Sequence, residues 1–105
     1  MTFNAIRYKI ICVIKTFKDE ETRKIFHRRF SSKLPPVIQQ VALRKLRMLS
    51  NAETLIDLRV PPGNHLEKLT GKRAGQHSIR INDRWRVCFE WVDGNAYNVE
   101  IIDYH

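Results

Sequence analysis

Two arginines and a three-residue tail carry the side chains of this 105-residue chain best suited to chemistry. Arg80 and Arg86 flank Asn82-Asp83 in the run from Ser78 to Phe89, and the chain ends in Asp103-Tyr104-His105. A guanidinium offers phosphate a planar fork of donors. A histidine near its ordinary pKa gives or takes a proton at neutral pH. Together these groups would suit attack by a ribose 2′-hydroxyl on its neighbouring phosphate, which needs a base, an acid and charge stabilisation but no metal. A terminal histidine is by default a frayed and idle end, so the tail alone does not decide.

Other chemistries find little support. His27, His65, His77 and His105 are scattered, with no ligand spacing to a cysteine or carboxylate, so neither a metal site nor a cofactor is expected. Ser-His-Asp and Cys-His signatures are missing, and the glycines near Lys72 do not form a P-loop. Lys68, Lys72 and Arg73 do lie in glycine-flanked backbone just ahead of Arg80. They would make a phosphate funnel.

Strands must position the arginines. Ala74–His105 alternates apolar and polar residues in three runs, broken at Asn82-Asp83 and at Asp93-Gly94-Asn95, which reads as an antiparallel meander. An odd loop at Asn82-Asp83-Arg84 sets Ile81 against Trp85, Ile79 against Val87 and Arg80 against Arg86. A three-residue loop at Asp93-Gly94-Asn95 would pair Trp91 with Tyr97, Phe89 with Val99 and Val87 with Ile101. One face is then core, and the other carries Arg80, Arg86, Cys88, Glu100, Ile102 and Tyr104. Opposed arginines repel unless an anion lies between them; the structural alternative is a diagonal ion pair of Arg86 with Glu100.

Upstream, Ile10–Phe17 reads as a first strand and Asp19 starts a helix with Glu20 and Glu21 in its first turn and Arg28 and Arg29 in its last. Phe26 and Phe30 would share its inner face. Pro36 opens a second helix to about Asn51. Its buried side holds Val37, Ile38, Val41, Ala42, Leu46, Met48 and Leu49, with Gln40, Arg44 and Arg47 opposite. The expected fold is α+β: a strand, then two helices packed on one face of a three- to four-stranded antiparallel sheet. We read 1–105 as a single domain.

Lys and Arg number 19 against 11 acidic residues, a net charge of +8. That favours nucleic acid, an anionic membrane or an acidic protein as partner without choosing among them. Cys12 and Cys88 show no disulfide framework, no segment is apolar enough to span a membrane, and no secretory leader is evident. A cytoplasmic protein is expected.

The segment Pro61–Phe89, with its GxRAGQxSIRxNDxWRxCF pattern, and the ending Val99-Glu-Ile-Ile-Asp-Tyr-His105 resemble the HigB toxins of the RelE/ParE superfamily. The likeness runs from about Val13 to the C-terminus, leaving residues 1–12 as a possible N-terminal extension. It implies a RelE-like toxin of a type II toxin–antitoxin pair, a ribosome-dependent endoribonuclease acting on translated mRNA. It also implies a HigA-like helix-turn-helix antitoxin as partner, with operator DNA bound only through the toxin–antitoxin complex. By the same resemblance Arg86 matches the arginine on the scissile phosphate, and Asp103, Tyr104 and His105 match the catalytic tail. Where some members carry LHPLKG, this chain has Leu66-Glu-Lys-Leu-Thr-Gly71, so Glu67 and Thr70 replace a histidine and a lysine that Lys68 or His65 would have to make good. Two other readings stand beside the nuclease. One is a ParE-like inhibitor of DNA gyrase, against which the terminal DYH argues. The other is a non-catalytic module that binds RNA or antitoxin.

Overall fold

A computed structural model describes residues 12–104. Most of the possible N-terminal extension and the terminal His105 therefore lie outside the described residues. Helix α1 (Glu20–Phe26) is opened by Asp19, whose carboxylate accepts from the Thr22 N–H at 3.1 Å, with Glu20 and Glu21 following. It stops sooner than the charge pattern suggested. Arg28 turns left-handed at φ 64, and the N–H groups of Arg28 and Arg29 fold back to the carbonyls of Ile25 and Lys24 at 2.9 and 2.8 Å. Both arginines thus lie beyond the last turn, not in it. Phe26 packs on Phe17 with ring centroids 5.6 Å apart, while Phe30, expected inside, is 66% exposed.

Helix α2 (Pro36–Asn51) begins at a proline, where a missing N–H is no loss. Ile38, Ala42, Leu46 and Leu49 are buried at helical spacing. Val37, assigned above to that side, is 83% exposed because the stripe is narrower than the hydrophobic residues alone imply.

Four antiparallel strands follow, β1 (Glu67–Lys68), β2 (Gln76–Arg80), β3 (Trp85–Val92) and β4 (Asn95–Asp103), in that order across one sheet. The first hairpin has the expected register, with Ile79 opposite Val87 and Arg80 opposite Arg86. The second differs. Asp93 and Gly94 both take positive φ, 51 and 80, making a two-residue turn that sets Val92 against Asn95, Trp91 against Ala96 and Glu90 against Tyr97. The expected pairing of Trp91 with Tyr97 is therefore displaced by one residue. A bulge at Asn98, itself at φ 53, then inserts one extra residue, and Cys88–Glu100 and Val87–Ile101 fall back into the expected register. Asn98 is held there by its N–H to Thr16 Oγ1 at 2.8 Å.

The expected first strand is, over its described part, a strap lying parallel to β4 with bridges at Ile14–Ala96 and Phe17–Val99. Thr22 accepts from the Ile101 N–H at 2.9 Å further along the same edge. The outer edge of β4 is thereby closed against other strands. Helices and sheet enclose one core in which Leu46, Leu49, Ile79, Val87, Phe89 and Val99 are fully buried. The architecture is the α+β fold expected.

Candidate functional site

Arg86, the second residue of β3, stands on the sheet face turned away from the helices, because side chains alternate and its neighbour Val87 points into the core. Only 8% of the residue is exposed. Its Nε donates to Ser78 Oγ at 2.7 Å and Nη2 to the His65 carbonyl at 2.5 Å. Glu67 comes within 3.9 Å of the same nitrogen, and the guanidinium carbon lies 5.9 Å from the centre of the Tyr104 ring. A buried guanidinium costs desolvation that good hydrogen bonds must offset. Here those bonds also fix the direction in which the fork points.

The His65 carbonyl is itself held from the helix layer. Asn64 is fully buried; Lys45 Nζ donates to its Oδ1 at 2.5 Å, and its Nδ2 donates to the Leu58 carbonyl at 3.1 Å. The Asn64 and His65 N–H groups close turns onto Pro61 and Pro62 at 2.9 and 3.0 Å, and His65 itself is left-handed at φ 44. A continuous set of contacts thus runs from α2 through Lys45, Asn64 and His65 to Arg86. Burial, helped by Arg44 and Arg80, holds the Lys45 ammonium below its ordinary pKa. The sequence reading missed this network. Its one visible sign is a polar Asn64 directly after Pro61-Pro62-Gly63.

The other basic residues separate. Arg80 lies opposite Arg86 as expected, yet it turns to Asp83 in the hairpin loop, so each arginine has a partner within the protein. Arg73 donates to Glu100 at 3.0 Å and to Gln76 at 3.0 Å. Glu100 is therefore paired with Arg73, not with Arg86 as the structural alternative had it. That contact holds the Arg73 pKa above its ordinary value. Lys72 is exposed on a short 3-10 turn, Gly71–Arg73. Lys68 pairs with His77, whose ring stacks on core Phe89 at 6.1 Å, and so belongs to the helix side of the sheet. Glu67 pairs with Ser78 and belongs to the Arg86 side. Adjacent residues of a strand face opposite ways, so Glu67 and not Lys68 is the β1 residue beside Arg86.

At the end of β4, Arg84 grips the Asp103 carboxylate through Nη2 at 2.6 Å and Nε at 3.3 Å, and the Tyr104 N–H donates to the Arg84 carbonyl at 2.5 Å. This brings Tyr104, 38% exposed, over Arg86. Cys88 shares the face but is fully buried, and burial pushes its thiol up to about 11.

A family model described as the RelE-like toxin of the type II toxin–antitoxin system HigB matches residues 15–105. The chain belongs to the HigB-like toxin family. Toxin HigB-1 of Vibrio cholerae is 46% identical over 65 residues, 62% of this chain and 68% of that protein. An uncharacterized protein of Haemophilus influenzae is 40% identical over 68 residues, 65% and 67% of the two chains. A protein of Proteus vulgaris named Endoribonuclease HigB is 28% identical over 93 residues, 89% of this chain and all of that one.

As a HigB-like toxin the chain has an antitoxin for a partner. Among its described residues no helix is long and apolar enough to cross a membrane. The arginine face of this HigB-like fold offers a fixed cation, an aromatic ring and a half-exposed carboxylate within one small area.

Proposed function

We propose that the chain is an endoribonuclease that cleaves translated mRNA on the ribosome, in the cytoplasm, and is neutralised by a HigA-like helix-turn-helix antitoxin whose complex with it binds operator DNA. The observation that carries this reading is Arg86, buried and aimed by Ser78 and His65 beside Tyr104. The name Endoribonuclease HigB of the Proteus vulgaris relative agrees with it.

In the proposed reaction a 2′-oxygen bonds to the adjacent phosphorus and the P–O5′ bond breaks, leaving a 2′,3′-cyclic phosphate and a 5′-hydroxyl. One group takes the 2′-hydroxyl proton and another returns a proton to O5′. No metal enters this scheme. Arg86 offsets the charge that grows on the phosphoryl oxygens. Tyr104 stacks a base or donates the leaving-group proton, and His105 shares that duty at the chain end. Glu67 is the carboxylate positioned to accept the first proton, at the place where some relatives have histidine. Asp103 orients the tail through Arg84. Lys72 and Arg80 flank the RNA path, while Lys68 and Arg73 contribute positive potential without direct contact.

The test is to map mRNA ends by primer extension in a translating bacterial extract, with naked RNA and an Arg86→Ala chain alongside. New ends should require both ribosomes and Arg86, and the variant should lose roughly 100- to 1,000-fold in rate. Cleavage unchanged in a folded Arg86→Ala chain would reject this site. No cleavage by the wild-type chain, with inhibition of supercoiling in its place, would favour gyrase.

A further inference from the structure

Tyr97 shares the open sheet face with Arg86, and it does so only because the second hairpin is tight. A three-residue loop would pair Tyr97 with core-facing Trp91. The two-residue turn pairs it with Glu90, and a slip of one residue moves a side chain to the other face. The bulge at Asn98 then returns Val99 and Ile101 to the core, while Ala96 on the other side of Tyr97 is also fully buried. We propose that Tyr97 is a stacking platform for an unpaired RNA base about two nucleotides from the scissile phosphate, with Glu90 and Asn98 at that base's edge. The inference rests on the nuclease reading and extends its site along the sheet.

Three observations carry it. The first is the backbone that turns Tyr97 outward. Asp93 and Asn98, neither of them glycine, take positive φ, 51 and 53, one before the ring and one directly after it. Bulges beside active sites re-aim side chains, and this one leaves Tyr97 half-buried, with Val92 on the same face 50% exposed.

The second is spacing. Arg86 and Glu90, the partner of Tyr97, lie four residues apart on β3, about 13 Å at about 3.3 Å per residue. An unstacked strand advances roughly 6–7 Å per nucleotide, twice the stacked rise of about 3.4 Å. The distance from the Arg86 row to the Tyr97 row is therefore about two nucleotides.

The third is the order of charge along that path. In the row between, Glu100 lies opposite Cys88 and is shared by Arg73 Nη1 at 3.0 Å and Lys18 Nζ at 3.8 Å. Two cations on one carboxylate leave a positive field that draws the RNA backbone past this row. At the Tyr97 row the sign reverses, because Glu90 stands beside the ring and accepts from Asn98 Nδ2 at 3.2 Å. A carboxylate repels phosphate but accepts from a base amino group. What reaches Tyr97 is thus a base turned toward the sheet, and a ring face stacks on any base.

The test follows cleavage of a message held on programmed ribosomes. Tyr97→Ala should lower kcat/KM about 5- to 100-fold, the loss of one stacked base, whereas Tyr97→Phe, which keeps the ring, should stay within about threefold of the wild type. Messages with an abasic nucleotide at successive positions around the cut locate the base. At one position, about two nucleotides away, base removal should slow the wild type as Tyr97→Ala does and slow Tyr97→Ala no further. Should Tyr97→Ala melt early, Tyr97→Leu supplies apolar bulk without a ring. A loss equal on every abasic message would make Tyr97 a structural part of the sheet and overturn the proposal. So would Tyr97→Phe as slow as Tyr97→Ala, or full-rate cleavage by Tyr97→Ala with weakened antitoxin binding in calorimetry. A message with a 2′-O-methyl group at the cut separates the two readings. A wild type whose affinity for ribosomes carrying it falls on Tyr97→Ala, yet which cleaves no ordinary message, would refute the nuclease reading and leave the platform standing. A wild type that neither binds nor cleaves would refute both.

Discussion

Asn64 should be the most sensitive residue outside the arginine face, since it ties the helix layer to the carbonyl that aims Arg86. Its side chain is fully buried and holds a charged donor, Lys45 at 2.5 Å, and a neutral acceptor, the Leu58 carbonyl at 3.1 Å. A hydrogen bond to a charged group contributes roughly 1.5–3 kcal/mol and a neutral one roughly 0.5–1.5 kcal/mol. Asn64→Ala should therefore cost about 2–4.5 kcal/mol, lowering the melting temperature by roughly 10–30 °C. Part of the loss comes from Lys45, 9% exposed, whose ammonium would be left without this acceptor. Replacing both partners, Lys45→Met with Asn64→Leu, should be milder than the sum of the single changes by more than about 1 kcal/mol. Urea unfolding followed by circular dichroism measures Asn64→Ala, the two single changes of the pair and the double change. Asn64→Ala, assayed where it is still folded, should also cleave roughly tenfold more slowly, because Arg86 loses its fixed carbonyl partner. A cost below about 1 kcal/mol, strict additivity in the pair, or full activity in the folded variant would each break the reasoning.

Glu67→Gln should slow cleavage about tenfold to a hundredfold; Lys68→Gln, on the opposite sheet face, should change the rate less than about threefold. Equal losses from the two would mean that the Glu67 carboxylate has no part in the reaction that Lys68 lacks. Thiol labelling at mildly alkaline pH should modify Cys12, which is partly exposed, and spare Cys88 until the chain unfolds, given a thiol raised from 9.0 to about 11. Equal labelling rates in the folded chain would contradict that burial. Burial, and after it Lys68, holds His77 below its ordinary 6.5, so the unfolded chain takes up this proton more readily. Stability present near neutrality should decline as pH falls below about 6.5, and His77→Phe should make that decline shallower. An unchanged slope in the variant would assign it to other groups.

Much of this fold could be read from periodicity because period and burial agree. The first hairpin followed from the requirement that Ile79, Ile81, Trp85 and Val87 share a face. The second hairpin could not be read in the same way. Asp93-Gly94-Asn95 is compatible with a loop of two or three residues, and only the left-handed Asn98, held by Thr16 more than 80 positions away, restores the register after the shorter one. Phe30 misled for a related reason. Spacing from Phe26 places it inward on a continuing helix, but α1 ends first, and no local residue other than Arg28 marks the end.

The site shows the same division. Alternation alone brought Arg80 and Arg86 to one face, yet nothing in it could tell that Asp83 and Glu100 would claim Arg80 and Arg73. A charge count treats five basic residues as equivalent phosphate ligands. The structure distinguishes them by what else each one touches. Arg73 pairs with a carboxylate that is mostly buried, Lys68 faces the helix layer, and Arg86 alone among them is bound by a hydroxyl and a main-chain carbonyl. Neutral acceptors leave the positive charge of a guanidinium largely uncompensated, so its field still reaches an anion arriving at the surface. A cation so placed has been desolvated and oriented during folding, and little reorganisation remains when phosphate binds. By this criterion Arg86 is the arginine to which the proposed reaction assigns transition-state charge, and Glu67 at 3.9 Å is close enough to modulate it without neutralising it by a direct hydrogen bond.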